Sequence, residues 1–244
     1  MKRILFTTFY IACIFLTSCA SLKQEYDIVK IGNQNWMSKN LDVATFRNGD
    51  TIVKATNIEE WENIAENKIP AWCYHEFNYD NGTKYGKLYN WYAVNDKRGL
   101  APQGFRIPTE NEWVELFENL GDADKVYDKL KSIDGWRAVS NMGKEVCPDC
   151  QSWSIHFRSK VECQTCKSER YIKVPEVIKV GGNNSSGFTA LPFGDLEDEA
   201  CWWTSSEFNK ESAWAISLYY SRISRDYKLD HRKDIGFSVR CIKD

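Results

Sequence analysis

Histidine is scarce: His75, His156 and His231 are the three in 244 residues. None stands in a nucleophile motif, so no base is assembled for a Ser- or Cys-centred hydrolase, and satisfied or solvent-exposed imidazoles are the default reading. An excess of charge of one sign is also missing. Lys and Arg total 32 against 34 Asp and Glu, a formal net charge of −2, and without a basic run or face nucleic acid is excluded as a partner. The apolar run from Ile4 to Leu16 is too short to span a bilayer, which takes about 20 residues. Internal repeats and low-complexity segments are absent, which excludes solenoids and structureless arrays. What the chain has in quantity is aromatic surface, 14% Phe, Trp and Tyr with ten Trp, enough at this length for one large or two small domains.

At the N-terminus, the basic Met1-Lys2-Arg3 precedes that apolar run, and Leu16-Thr17-Ser18-Cys19 follows with small residues ahead of a cysteine. The pattern resembles a bacterial lipoprotein signal ending in a lipobox; the alternative is an ordinary signal peptide with an incidental cysteine. The resemblance implies that residues 1–18 are a signal peptide and that the Cys19 thiol is diacylated before cleavage. The mature chain would then be held on a membrane by acyl chains, each buried methylene contributing about 0.8 kcal/mol. The expected location is the bacterial cell envelope, lipid-anchored to the outer membrane, on its periplasmic or extracellular face. Residues 19–25 are a short linker.

The domain proper runs from 26 to 244. Strand-like Tyr26–Ile31 and Gln34–Met37 flank Gly32-Asn33 and predict a hairpin. Ile58–Glu66 predicts a short helix carrying Trp61 and Ile64, and Ala71–Tyr74 a buried strand or loop. Asn78–Gly82 is a turn cluster ahead of a helix burying Leu88, Trp91, Tyr92 and Val94. Thr109 with Glu112 has capping-box spacing, so a second helix starts there; Trp113, Leu116, Phe117 and Leu120 share one face of it and Gly121 ends it. A further helical piece covers Lys125–Leu130. Ala213–Tyr220 alternates as a strand, and a final strand sets Phe237, Val239 and Cys241 on one face against Ser238, Arg240 and Ile242 on the other. An early hairpin, central helices and late strands make an α+β pattern rather than a βαβ alternation.

Six blocks in order carry a family resemblance: Ile31–Leu41, Tyr85–Val94, Gly99–Pro102 with Ile107-Pro108-Thr109, Gly187–Pro192, Trp202–Ser206 and Gly236–Cys241. Together they are similar to the Fibrobacter succinogenes major paralogous domain, a family whose biochemical role is poorly defined. That family is in turn similar to the C-type-lectin-like fold, which implies paired terminal strands, two flanking helices and a long loop region presenting a ligand surface. The same fold often ties its last strand to an earlier element, which implies a Cys73–Cys241 disulfide with Cys201 left over; spacing alone leaves the connectivity open. Phe105-Arg106-Ile107-Pro108-Thr109-Glu110-Asn111-Glu112-Trp113 is also similar to a Pro-Thr-Glu-x-Glu-Trp segment of formylglycine-generating and related sulfatase-modifying enzymes. Those enzymes need two reactive cysteines close together near the C-terminal end, whereas Cys201 lies forty residues before Cys241.

Residues 136–182 differ in character, being rich in charge and cysteine, and read as an insertion. Cys147-Pro-Asp-Cys150 and Cys163-Gln-Thr-Cys166 are separated by twelve residues. Two such knuckles bring four thiolates around one ion, as in a zinc ribbon, and a closed four-cysteine zinc site is structural because no coordination position stays open. In an oxidising compartment the same cysteines form two disulfides instead. A redox pair at Cys147 and Cys150 lacks a thioredoxin-like context.

For ligand binding, the surface expected from Gly194 to Tyr227 combines the acids Asp195, Glu197, Asp198 and Glu199 with Trp202, Trp203, Glu207, Tyr219, Tyr220, Arg222, Arg225 and Tyr227. Aromatic faces stack on sugars or side chains while Arg and carboxylates give directional hydrogen bonds; strand alternation turns at least one of Trp202 and Trp203 into the core. The acidic loop is suited to calcium, but the Glu-Pro-Asn and Gln-Pro-Asp triplets of sugar-selecting lectins are missing. The expectation is a non-catalytic binding or adhesion module facing a polysaccharide or a cell-surface protein. Its alternatives are a carbohydrate-binding lectin-like protein and an enzyme related to the formylglycine generators.

Overall fold

The computed structural model describes residues 25–121, 123–136, 139–140, 177–178, 181–192, 199–219 and 228–244. Within them the architecture is α+β, several small sheets with helices packed against them. The hairpin forms as expected: β1 (Ile28–Ile31) and β2 (Gln34–Met37) pair antiparallel with Ile31 opposite Gln34. Gly32 sits at φ +59°, a left-handed conformation that costs glycine little at the first position of such a turn. The helix α1 (Ile58–Glu66) follows the short strand β3 (Val53–Lys54) and starts where Asn57 accepts the Glu60 amide. β4 (Ala71–Cys73) is buried along its length.

Two local expectations need correction after β4. Asn78–Gly82 is not a turn but the start of a helix, α2 (Tyr79–Tyr85), because the Asn78 side chain caps it by accepting the Asp80 amide. Gly82 fits inside this helix because a Cβ there would lie 2.2 Å from the Tyr74 ring. The expected helix over Leu88 to Val94 is split. Leu88 and Tyr89 form β5 (Leu88–Tyr89) against β4, with Trp72 opposite Tyr89, and only α3 (Trp91–Val94) is helical. Asn90 marks the break: its Oδ1 accepts from Ala93 and Ala71 amides and its Nδ2 donates to the Ile69 carbonyl. Pairing with a neighbouring strand has overridden helical spacing.

β6 (Phe105–Arg106) precedes α4 (Glu110–Leu120), whose Thr109–Glu112 capping box is complete. After α5 (Ala123–Leu130), β7 (Val139–Ser140) pairs antiparallel with β8 (Val177–Ile178), so the two ends of the long cysteine-bearing segment stand side by side. The C-terminal third supplies β9 (Glu199–Glu207), β10 (Ser212–Tyr219), β11 (Lys228–Arg232) and β12 (Ile242–Lys243). β9, β10 and β11 make an antiparallel sheet, while β12 lies between β2 and β6 in a sheet ordered β1-β2-β12-β6.

The core explains why β9 lacks a polar face. Ala200 and Trp202 point into one cluster with Trp36, Trp113, Leu116 and Phe188, which α4 closes; Cys201 and Trp203 point into another with Tyr89, Trp91, Phe237 and Val239. Period two therefore sorts the strand between two cores, and burying each large apolar side chain contributes about 1.5–3 kcal/mol. The final segment shows the expected alternation, since Phe237, Val239 and Cys241 share the second of these cores and Ile242 lies in the first. Its other residues are not solvent-facing, however. Ser238 and Arg240 are 1% exposed.

Arg240 is the hub of this junction. Its Nη1 donates to the carbonyls of Met37 at 3.2 Å and Phe188 at 2.5 Å, and Nε and Nη2 donate to Asn40 Oδ1 at 3.1 and 2.7 Å. Asn40 Oδ1 also accepts from Trp202 Nε1 at 2.9 Å, while its Nδ2 donates to the Tyr85 carbonyl and Ser238 Oγ. The guanidinium lies 4.2 Å from the centroid of the Phe188 ring. Among the described residues no carboxylate pairs with it, and burial pushes it down to about 9.

Candidate functional site

Helix α1 carries Trp61, Glu62, Ala65 and Glu66 along one side, and the end of β11 with the turn after it brings Arg232, Asp234, Ile235 and Gly236 against them. Together these residues line an open groove of about 750 Å³. Its floor is Trp61, which is only half-buried. The indole is fixed at two points: Nε1 donates to the Asp234 carbonyl at 3.1 Å, and the six-membered ring leans on Gly236, where a Cβ would stand 3.2 Å from Trp61 Cζ2 and 3.4 Å from Leu88 Cβ. A side chain at 236 would thus push the ring outward. Arg232 and Asp234 form a fork-like pair, Nε to Oδ1 at 3.1 Å and Nη2 to Oδ2. A flat aromatic beside fixed donors and acceptors is the composition of a small-ligand site.

This place was not legible as a site in the sequence. Trp61 reads as the apolar face of a short helix, and Gly236 opens the last block of the family pattern, yet they stand 175 positions apart. The signal that could have found it is the combination of a tryptophan in a helix with acids at Glu59, Glu60, Glu62 and Glu66 and no basic residue in its last turn.

Of the surface expected between Gly194 and Tyr227, the described residues are 199–219. Trp202 and Trp203 are 1% and 0% exposed and belong to the two cores on either side of β9, which corrects their reading as ligand contacts: the strand is covered on both faces. Trp203 Nε1 is already used by the Tyr89 carbonyl at 2.8 Å. Glu207 is exposed and pairs with buried Lys233, whose ammonium also lies over Trp91. Tyr219 ends β10. Tyr220, Arg222, Arg225 and Tyr227, the acids Asp195, Glu197 and Asp198, Cys19, and Cys147, Cys150, Cys163 and Cys166 lie outside the described residues.

Cys73, Cys201 and Cys241 are free, buried thiols. The expected Cys73–Cys241 bond is therefore corrected: Cys73 packs with Ile64, Ala71 and Leu88 under α1, whereas Cys241 belongs to the core around Trp203 and Val239. Burial pushes the Cys73 and Cys241 thiols up to about 12. Cys201 is also raised by burial, donates to Glu199 at 2.9 Å and touches Ser217 Oγ at 3.1 Å. A thiol in these surroundings stays protonated at neutral pH, the opposite of an activated nucleophile. His231 lies edge-on to Phe237 with its ring centroid 4.9 Å away, and burial lowers its pKa. Among the described residues, no group of three or more His, Cys, Asp or Glu is placed to hold a metal, and no helix is long and apolar enough to cross a membrane.

The family model described as Fibrobacter succinogenes major domain matches residues 29–243. No curated protein and no solved structure matches the chain.

Proposed function

The chain belongs to the Fibrobacter succinogenes major domain family, and from that premise we propose that it is a non-catalytic binding module of the bacterial cell envelope whose ligand contacts lie in the Trp61 groove. The observation that carries the reading is the pinned, half-buried indole beside the Arg232–Asp234 pair in a groove of about 750 Å³. The thiols an enzyme of the formylglycine type would use are sealed in the core. A C-type-lectin-like fold is supported by β12 pairing with β2 through Ile242 and Trp36, which joins the two ends of the domain.

On a glycan and cell-surface-protein array, the full mature chain is expected to give at least one specific ligand, and Trp61→Ala to lose it by tenfold or more. Unchanged capture by that variant would place the contact surface elsewhere, and capture of a protein with no glycan would reject the carbohydrate alternative.

The same proposal anchors the chain through acylated Cys19 and gives Cys147, Cys150, Cys163 and Cys166 a structural zinc. In sequence the four lie between the paired strands β7 and β8, a closed segment with few long apolar runs in which a metal would substitute for a hydrophobic core. Native mass spectrometry of the detergent-extracted protein, prepared without chelator, is expected to show loss of residues 1–18, acyl mass on Cys19 and one zinc. A metal-free chain lighter by four hydrogen atoms than the reduced one would mean two disulfides, and an unmodified Cys19 would remove the anchor.

A further inference from the structure

We propose that the Trp61 groove selects an amino sugar carrying a free ammonium group, an inference that rests on the groove being the binding site. Glu62 and Glu66 stand one helical turn apart on the groove's α1 wall, both exposed. Among the described residues neither has an ion-pair or hydrogen-bond partner. Arg232, the cation nearest to hand in the lining, is committed to Asp234. Like charges four residues apart on a helix repel one another, and a ligand ammonium between them removes that repulsion. The indole face of Trp61 suits both halves of such a ligand, the cation by its quadrupole and the apolar face of a pyranose by stacking.

The backbone argues against an extended basic peptide. Such a peptide binds by adding main-chain hydrogen bonds to an open edge. Here the Arg232 carbonyl accepts the Ile235 amide, the Asp234 carbonyl accepts Trp61 Nε1, and the opposite wall is a helix. Recognition is left to side chains, which serves a compact ring bearing hydroxyls and one charge.

The test is calorimetric titration of the detergent-solubilised mature protein with glucosamine hexamer and with N-acetylglucosamine hexamer, which share a backbone and differ in charge, and with hexalysine as the peptide control. The glucosamine form is expected to bind about tenfold more tightly than the acetylated one at low ionic strength, with the preference shrinking in roughly 0.5 M NaCl because the carboxylates are exposed. Glu62→Gln with Glu66→Gln should reduce it to the level of the acetylated form, and Trp61→Ala should abolish both, with far-UV circular dichroism unchanged. Equal affinity for the two oligomers, lost in Trp61→Ala, overturns charge selection while leaving the groove as the site. Binding that survives Trp61→Ala overturns the site itself. Failure of both oligomers, or binding of hexalysine alone, overturns the amino sugar.

Discussion

Replacing Arg240 by Ala is expected to cost the domain about 3–5 kcal/mol, from buried acceptors left without a donor and from the packing lost with the side chain. The guanidinium is 1% exposed and serves four acceptor contacts from three directions: Met37, Phe188 and, twice, Asn40. Truncation strands the two carbonyls, at about 1–3 kcal/mol for each buried group left unpaired, and opens a cavity beside Phe188. The charge itself is not the benefit. Burial holds the folded pKa near 9, well below the ordinary arginine range, so the unfolded chain binds the proton more tightly. That contribution opposes folding at neutral pH and is relieved as pH rises through 9. The geometry of the donors is what stabilises. Arg240→Lys should accordingly recover only part of the loss, because a single ammonium cannot reach Asn40 and the Phe188 carbonyl with a planar fork. Urea unfolding followed by tryptophan fluorescence measures this, and a loss under about 1 kcal/mol for Arg240→Ala would refute the hub.

Elements whose signals are local were legible in the sequence. α1 and α4 start at caps supplied by Asn57 and Thr109 and present apolar residues at helical spacing, and the Gly32 hairpin needs only its turn. What could not be read depends on neighbours far along the chain. Leu88 and Tyr89 fit a helix until β4 is beside them. Arg240 occupies the polar side of an alternating strand, so alternation predicts exposure; it is buried because Phe188 and the Asn40 loop cover that side as well. The groove is invisible for the same reason, as its two walls meet only after the final turn returns to α1. The aromatic-rich Trp202-Trp203 pair misled in the other direction. Two large apolar residues in succession are compatible with one exposed face only when the sheet has one, and β9 has none.

Trp202→Ala is the sharpest test of that correction. Trp202 meets Trp113 and Phe188 at centroid distances of 5.6 and 5.8 Å and gives its indole N–H to Asn40. Truncation removes the ring and leaves a cavity among side chains held by α4, so a destabilisation of about 3–5 kcal/mol is expected. A ligand platform would behave differently, since an exposed tryptophan can be removed with stability changing by less than about 0.5 kcal/mol. The same loss of Cm in urea, with groove ligand binding intact in the folded fraction, is the expected pair of results; normal stability with lost binding would restore Trp202 to the ligand surface. Because Trp202 and Arg240 donate to one oxygen of Asn40, their effects should not add. In a double-mutant cycle the pair is expected to fall short of the sum by about 0.5–3 kcal/mol: once Arg240 is gone the Asn40 side chain is already loosened, and removing its remaining indole donor takes away less. Additivity within about 0.3 kcal/mol would mean that Asn40 does not couple the C-terminal segment to β9, and that the junction is held by packing alone.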